Sequence, residues 1–213
     1  AMSLMRGLSE DVPLTEWLNK IWAIEKNLQK EQVYWGAKLA ILEMIKTGTT
    51  CFLDMYWMSP QVAQAVEEMG IRAVLTYVFL DHSDTEKAEK QKSECIRLHG
   101  HSESWHKRCK FGVSIHADYT VSPHTMVWAS GFAKENGLIL NTHMSETEQE
   151  VLKDKEKHGK SPVAYYDSLG ILDSNVIAAH ALWLDDEDIE IFAKRGVTAV
   201  HNINSNLKLG SGY

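Results

Sequence analysis

The chain has 213 residues, of which 44% are hydrophobic and 24% are charged, a composition typical of a soluble globular protein with a sizeable core. Its formal net charge is −7, and the scattered basic residues argue against a nucleic-acid partner. No apolar run reaches the roughly 18 residues of a membrane span, and no basic and apolar leader opens the chain. These features predict a cytoplasmic protein that binds neither nucleic acid nor a membrane.

Four segments of the chain repeat the order helix, glycine, strand. In the first, apolar residues recur at helical spacing from Val33 to Ile45, and Gly48 precedes the apolar run Thr49–Leu53. The other three place Gly70 before Ile71–Leu75, Gly137 before Leu138–Leu140, and Gly196 before Val197–Val200. A glycine just past a helix suits the left-handed cap position. The alternation is typical of βα units with a parallel sheet.

Two further apolar runs, Phe111–Ile115 and Val176–Ala179, raise the number of predicted strands to six. The polar stretch Asp84–Lys110 predicts one exposed helix and a loop. No segment rich in glycine, serine or proline interrupts the pattern, so we predict one α/β domain over residues 1–213. The three cysteines lack metal-motif or disulfide spacing, and we expect reduced thiols, with Cys51 packed in its strand.

Histidines stand at the carboxyl ends of four successive predicted strands: His116, His143, His180 and His201. In a parallel barrel these strand ends meet at one mouth, where active sites are built. A single histidine at the end of a strand is usually structural, but four together indicate a site. Convergent imidazoles suit a divalent transition metal and the acid–base chemistry around it.

Glu146 lies three residues beyond His143. If a loop or helix starts there, the carboxylate can lean over the same mouth, where metal-assisted hydrolysis needs a proton shuttle. The alternative is an acid favoured by the dipole at a helix N-terminus. The other acids of this segment, Glu148 and Glu150, predict a solvated helix face.

The remaining histidines of the chain lie in polar surroundings. His99 and His101 have the spacing of a two-histidine metal motif, but they do not end an apolar strand. We therefore predict a solvated surface for this pair. The same prediction applies to His82, His106 and His158.

Five short segments carry a family resemblance: Met2–Leu8, Gly48–Met55, Thr142–Thr147, Ala178–His180 and His201–Leu209. In this order they resemble the amidohydrolase superfamily. The likeness is to the branch that holds methylthioadenosine/S-adenosylhomocysteine deaminases, triazine chlorohydrolases and guanine deaminases. It spans essentially the whole chain, and the last two segments are its most specific part.

The resemblance implies an incomplete (β/α)8 barrel of TIM type with about six of the eight βα units. The chain corresponds to strands two to seven, so the first and last strands and the family's flanking β-sandwich are expected outside it. In the family those two strands carry a His-x-His metal pair and a metal-binding aspartate. We therefore expect the remaining metal ligands outside this chain, and we expect the 213-residue piece to be inactive alone.

The resemblance also assigns roles to residues of the predicted site. His143 corresponds to a metal ligand, Glu146 to the carboxylate that moves protons to the ring nitrogen, and His180 to a histidine that touches the attacking hydroxide. His116 corresponds to a histidine that contacts the substrate, and Glu25 to a glutamate that binds ribose hydroxyls.

Two residues depart from the family's pattern. Tyr77 stands where S-adenosylhomocysteine deaminases tend to have arginine, so we expect it near a substrate with a short, neutral 5′ group. Ile203 replaces the usual proline after His201 and Asn202, and we expect this change to alter only the loop.

The implied function is metal-dependent hydrolytic deamination of a purine nucleoside such as methylthioadenosine, adenosine or S-adenosylhomocysteine. The implied cofactor is one divalent metal, zinc or iron in its place, and the enzyme is compatible with a homo-oligomer. Two alternatives stay open. One is a guanine deaminase or chlorohydrolase of the same fold, and the other is an inactive piece that serves as a scaffold or binding module.

Overall fold

The computed structural model describes residues 2–9 and 12–212. The chain divides into two compact units, which we call the first unit (residues 1–77 and 95–111) and the second unit (residues 78–94 and 112–213). Within the described ranges, no helix combines the length and the apolar character needed to cross a lipid bilayer.

Strands and helices alternate along the chain as the sequence predicts. The strands are β1 (Cys51–Met55), β2 (Arg72–Phe79), β3 (Cys109–Ile115), β4 (Leu140–Met144), β5 (Val176–His180) and β6 (Thr198–Val200). The helices are α1 (Leu14–Glu25), α2 (Lys30–Lys46), α3 (Ser59–Met69), α4 (Thr85–Ser102), α5 (Pro123–Glu135), α6 (Glu148–His158), α7 (Pro162–Ser168), α8 (Asp186–Arg195) and α9 (Ile203–Leu209), with a short 3-10 helix at Met2–Met5. All six predicted strands are present in the predicted order.

Neighbouring strands pair in parallel. In the first unit β1 pairs with β2, with Cys51 opposite Arg72. In the second unit β4 pairs with β3 on one side and with β5 on the other, and β5 pairs with β6. Within each unit, strand order therefore follows chain order, as expected for successive βα units.

The four glycines predicted at helix–strand junctions all have positive φ. Their values lie between 63° and 87°. Gly70 ends α3 and Gly196 ends α8 in the left-handed conformation, where a residue with a side chain would be strained. These glycines therefore stop each helix at the point where the chain turns into the next strand.

Each unit buries its own apolar residues. The first unit has a core from α2, α3 and the first two strands: Val33, Ala37, Ile41, Val62, Ala65, Val66, Ala73 and Leu75. The second unit buries strand and helix residues: Val113, Ile115, Met126, Ala129, Leu140, Val163, Tyr166, Val176 and Ala178. The predicted exposed helix is α4, but it also buries one face through Ala88, Cys95 and Leu98, since these residues recur at helical spacing.

All three cysteines are free thiols, as predicted. The expected packing of Cys51 inside its strand is wrong, because this residue is exposed. Among the described residues, β1 pairs with β2 alone, so one side of the strand lacks a neighbouring strand that would cover it. The apolar character of the run could not reveal that β1 lies at a sheet edge.

We predict that the 213-residue chain self-associates and that Val200→Lys lowers the associated fraction. All three residues of β6 are exposed, and the unpaired backbone groups of an edge strand readily pair with another chain unless a charged side chain blocks them. Sedimentation velocity measures the associated fraction. The control is Ile189→Lys, which also replaces an exposed apolar residue but lies on α8. Equal association of wild type and Val200→Lys would contradict the prediction.

Candidate active site

The carboxyl ends of β3, β4 and β5 place three histidines together in the second unit. His116 directly follows β3, His143 lies near the end of β4, and His180 is the last residue of β5. The ring centroids of His116 and His143 are 5.1 Å apart, and those of His143 and His180 are 5.5 Å apart. Three of the four histidines selected from the sequence therefore form one cluster.

The Nδ1 atom of each ring lies next to a hydrogen-bond acceptor. Nδ1 of His143 is 2.7 Å from the backbone oxygen of His116, and Nδ1 of His180 is 2.7 Å from Oδ1 of Asn206. Nδ1 of His116 is 2.9 Å from the hydroxyl of Thr120, which itself donates to a backbone oxygen. Each neutral ring therefore carries its proton on Nδ1. In His143 and His180 the lone pair of Nε2 can therefore bind a metal or accept a proton.

Asn206 connects His180 to His201. It is fully buried, its Oδ1 accepts from His180, and its Nδ2 donates to Nδ1 of His201 at 3.3 Å. His201 itself is exposed, so the fourth predicted histidine joins the cluster through this amide. No residue pattern predicts this contact, because Asn206 stands out in the sequence only as part of the family-like segment His201–Leu209.

His180 occupies an unusual backbone position. Its predecessor Ala179 is opposite His143 in the parallel register, so a regular strand would send the His180 side chain to the other face. Instead the backbone leaves the strand, with φ of 75° at His180 and 48° at Ala181. Left-handed conformations of residues with side chains are costly and cluster at functional sites. This turn of the backbone brings the His180 ring to the face of the sheet on which the His143 ring lies.

The carboxyl group of Glu146 is buried beside His180. The residue is only 5% exposed, and its Oε2 lies 3.6 Å from Nε2 of His180. Burial, helped by the negative charge of Glu150, raises the pKa of Glu146 to about 7. A carboxyl that titrates near neutral pH can both hold and release a proton, as general acid–base catalysis requires.

The predicted solvated position of Glu150 is wrong, while Glu148 is exposed as predicted. Glu150 is 8% exposed, and its carboxylate accepts from the backbone N–H groups of Ser145 and Glu146, both at 2.9 Å. In return, the Thr147 hydroxyl accepts from the backbone N–H of Glu150. This capping box turns Glu150 back over the preceding residues. It therefore fixes the backbone that carries Glu146.

Glu25 and Tyr77, the other two predicted substrate contacts, belong to the first unit. Glu25 ends α1, and its Oε1 accepts a hydrogen bond from the Tyr56 hydroxyl at 2.7 Å. Burial raises the pKa of the Glu25 carboxyl. Tyr77 is half-buried within β2. Their roles in substrate binding stay predictions.

His143 and His180 fit part of a metal site. Imidazoles whose Nδ1–H is held by an acceptor and whose Nε2 is free are common zinc ligands. Within residues 2–9 and 12–212, however, no group of three or more ligand atoms within 4.8 Å includes either histidine. A zinc site normally takes at least three protein ligands, so these residues supply a portion of such a site.

The model of the amidohydrolase family matches residues 1–213. The chain belongs to this family. This amidohydrolase chain is 50% identical over 213 residues to 5-methylthioadenosine/S-adenosylhomocysteine deaminase of Thermococcus sibiricus, a match that covers 99% of this chain and 50% of that protein. It is 43% identical over 212 residues to 5'-deoxyadenosine deaminase of Methanopyrus kandleri, with 99% of this chain and 49% of that protein covered.

Among solved structures, the chain is similar to an adenosine deaminase from Xanthomonas campestris with bound zinc. The TM-score is 0.91 at 32% sequence identity, over 100% of this chain and 49% of that chain. The amidohydrolase chain thus spans about half the length of the relatives it matches. The predicted family and the predicted fold class, about six βα units of an eight-unit barrel, are both confirmed.

We predict that Glu146→Gln raises the melting temperature of the metal-free chain at pH 8 and has little effect at pH 5. Folding raises the pKa of Glu146 from 4.5 to about 7, so the folded chain binds this proton more tightly than the unfolded chain. The carboxyl therefore opposes folding above pH 7, by up to about 3 kcal/mol, and the penalty fades as the pH falls towards 4.5. Glutamine has no charge to bury.

Thermal unfolding at the two pH values measures this effect. Glu148→Gln is the matched control, because Glu148 is an exposed acid two residues away and its substitution should change little at either pH. A rise in melting temperature of the same size at pH 5 and pH 8 would count against ionisation of Glu146 as the cause.

Proposed function

We propose that this chain forms part of the catalytic barrel of a metal-dependent, cytoplasmic hydrolase that deaminates a purine nucleoside. The observation that carries the proposal is the buried carboxyl of Glu146, 3.6 Å from His180 within the cluster of strand-end histidines. The names of the relatives, which are deaminases of 5-methylthioadenosine, S-adenosylhomocysteine and 5'-deoxyadenosine at 50% and 43% identity, support the substrate class.

His143 is the residue proposed to hold the metal, through Nε2. We propose zinc, because the similar adenosine deaminase has zinc bound; iron is the alternative. We place the remaining ligands on segments outside this chain, since the relatives are about twice as long. A bound ion of this kind lowers the pKa of its water to about 7.

Glu146 and His180 are proposed to manage the protons of the reaction. Glu146 takes a proton from the attacking water and delivers it to the ring nitrogen beside the amino-bearing carbon, which its near-neutral pKa allows. Nε2 of His180 accepts a hydrogen bond from the same water and orients it. The second proton of that water passes to the amino group, the C–N bond breaks and ammonia leaves, and the water oxygen becomes the new carbonyl oxygen of the ring. His116 is proposed to contact the substrate.

In the longer enzyme, Glu146→Gln should keep the metal and lose about 10²–10⁴-fold in kcat, because an amide of the same shape cannot pass a proton. His143→Ala should instead lose the metal itself, since it removes the proposed ligand. Metal content and steady-state kinetics, measured on the same preparations, separate the two effects. A near-normal kcat for Glu146→Gln would assign the proton shuttle to another residue.

The substrate proposal depends on Glu25. A carboxylate can accept both hydroxyl protons of a ribose through charge-assisted hydrogen bonds, and a free base offers no such group. Glu25→Ala should therefore lower kcat/KM for methylthioadenosine and adenosine, whereas Glu31→Ala, at an exposed position of α2, should not. Because Tyr77 has no charge to pair with an amino-acid carboxylate, methylthioadenosine or adenosine should be preferred over S-adenosylhomocysteine.

A substrate panel with nucleosides, guanine and a chlorinated triazine measures this preference. If guanine or the triazine proved the best substrate and Glu25→Ala were harmless, the family assignment would stand and the nucleoside proposal would fail.

A further inference from the structure

A second group of metal-ligand side chains lies in the second unit, and the proposed reaction uses none of it. Asp118 lies in the loop after β3, and Asp154 and His158 lie on α6. One ligand atom from each residue lies within 4.8 Å of the other two. Asp154 and His158 are four residues apart and therefore share one face of the helix. The group joins segments 36 residues apart in sequence.

One oxygen of the buried Asp154 carboxyl has no donor, and the near neighbour of this carboxyl is another acid, Asp118. Asp118 is 9% exposed and Asp154 is 4% exposed, and Oδ2 of Asp154 is buried with no hydrogen-bond donor. In the described part of the chain, neither aspartate forms an ion pair with a lysine or arginine. Burying such a group is costly unless a donor or a cation compensates it.

His158 completes the group from the solvent side. The sequence predicts a solvated surface for this residue, but its ring is partly buried and stacks on Tyr165, with centroids 3.9 Å apart and planes 13° apart. The ring is therefore not freely solvated as predicted, because stacking on Tyr165 holds it in one plane. An imidazole fixed in this way can present a ring nitrogen towards the two carboxylates while leaving a path from solvent.

Without a cation, the buried Asp154 carboxyl lies next to a second acid, Asp118. Burial is the main cause that raises the pKa of Asp154 to about 9, and the neighbouring Asp118 raises it further. At neutral pH Asp154 therefore keeps its proton. A divalent ion binds the same oxygens and displaces that proton.

We infer that Asp118, Asp154 and His158 bind a divalent transition-metal ion that ties α6 to the loop after β3. Two carboxylate oxygens and one imidazole nitrogen suit zinc or manganese, whereas magnesium prefers oxygen ligands with near-ideal octahedral geometry. Ligand atoms around such an ion lie about 3 Å apart, so the side chains close in slightly on binding. The site is separate from the ligand proposed at His143, and it does not depend on the deaminase function.

The position of this ion gives it a structural role near the cluster of histidines. The loop after β3 also contains Thr120, which holds the ring of His116. Helix α6 begins directly after the capping turn of Glu146 and Thr147. A metal bridge between loop and helix would therefore restrain both segments that position these side chains.

Zinc binding to the purified, chelator-treated 213-residue chain tests the inference. By equilibrium dialysis, the wild type should bind one zinc ion more than Asp154→Asn and one more than His158→Gln. The matched control is Glu156→Gln, an exposed acid on the same helix, which should bind as the wild type does. His143→Ala should retain this ion, and its retention separates the site from the one proposed at His143.

Thermal unfolding with and without zinc provides the second measurement. Zinc should raise the melting temperature of wild type and Glu156→Gln, and it should raise that of Asp154→Asn and His158→Gln less. Metal-free Asp154→Asn should be at least as stable as wild type, because the substitution removes a buried acid. Equal zinc binding by wild type and both site variants, with equal thermal shifts, would overturn the inference and leave Asp154 as a buried acid without a metal.

Discussion

Parallel pairing of β3, β4 and β5 is the constraint on which the histidine cluster depends. Parallel neighbours end at the same edge of a sheet, whereas antiparallel neighbours end at opposite edges. Ile115 lies opposite Thr142, so the residues that follow them, His116 and His143, come side by side. A slip of one residue would turn these side chains to the other face. The hydrogen bond between Nδ1 of His143 and the backbone oxygen of His116 exists only in this register.

Burial gives the cluster its electrostatic character. It is the main cause that lowers the pKa of His116 to about 3 and that of His143 to about 4, and it raises the pKa of Glu146 and Glu150 to about 7. In the metal-free chain the histidines are therefore neutral at physiological pH, and the two carboxyls lie near their midpoints. A cation entering such surroundings meets the lone pairs of neutral imidazoles and acidic protons that it can displace.

The sequence predicted the features that depend on local pattern and missed those that depend on contacts between distant segments. Strands, junction glycines and strand-end histidines follow from residue spacing. The exposure of Cys51 depends on which strand lies at the sheet edge, and the burial of Glu150 depends on how the capping turn folds back. The contact between Asn206 and His180 joins residues 26 positions apart. No periodicity encodes such a contact.

The acceptors that hold the three Nδ1 atoms come from different places in the chain. His143 relies on the backbone of His116, His116 on a hydroxyl four residues later, and His180 on an amide from α9. The loops of this chain are therefore not independent modules for protein engineering. A histidine grafted onto another scaffold without its acceptor would be free to change tautomer and rotate. Exchange of a single loop would therefore change the orientation of a histidine ring that belongs to a neighbouring segment.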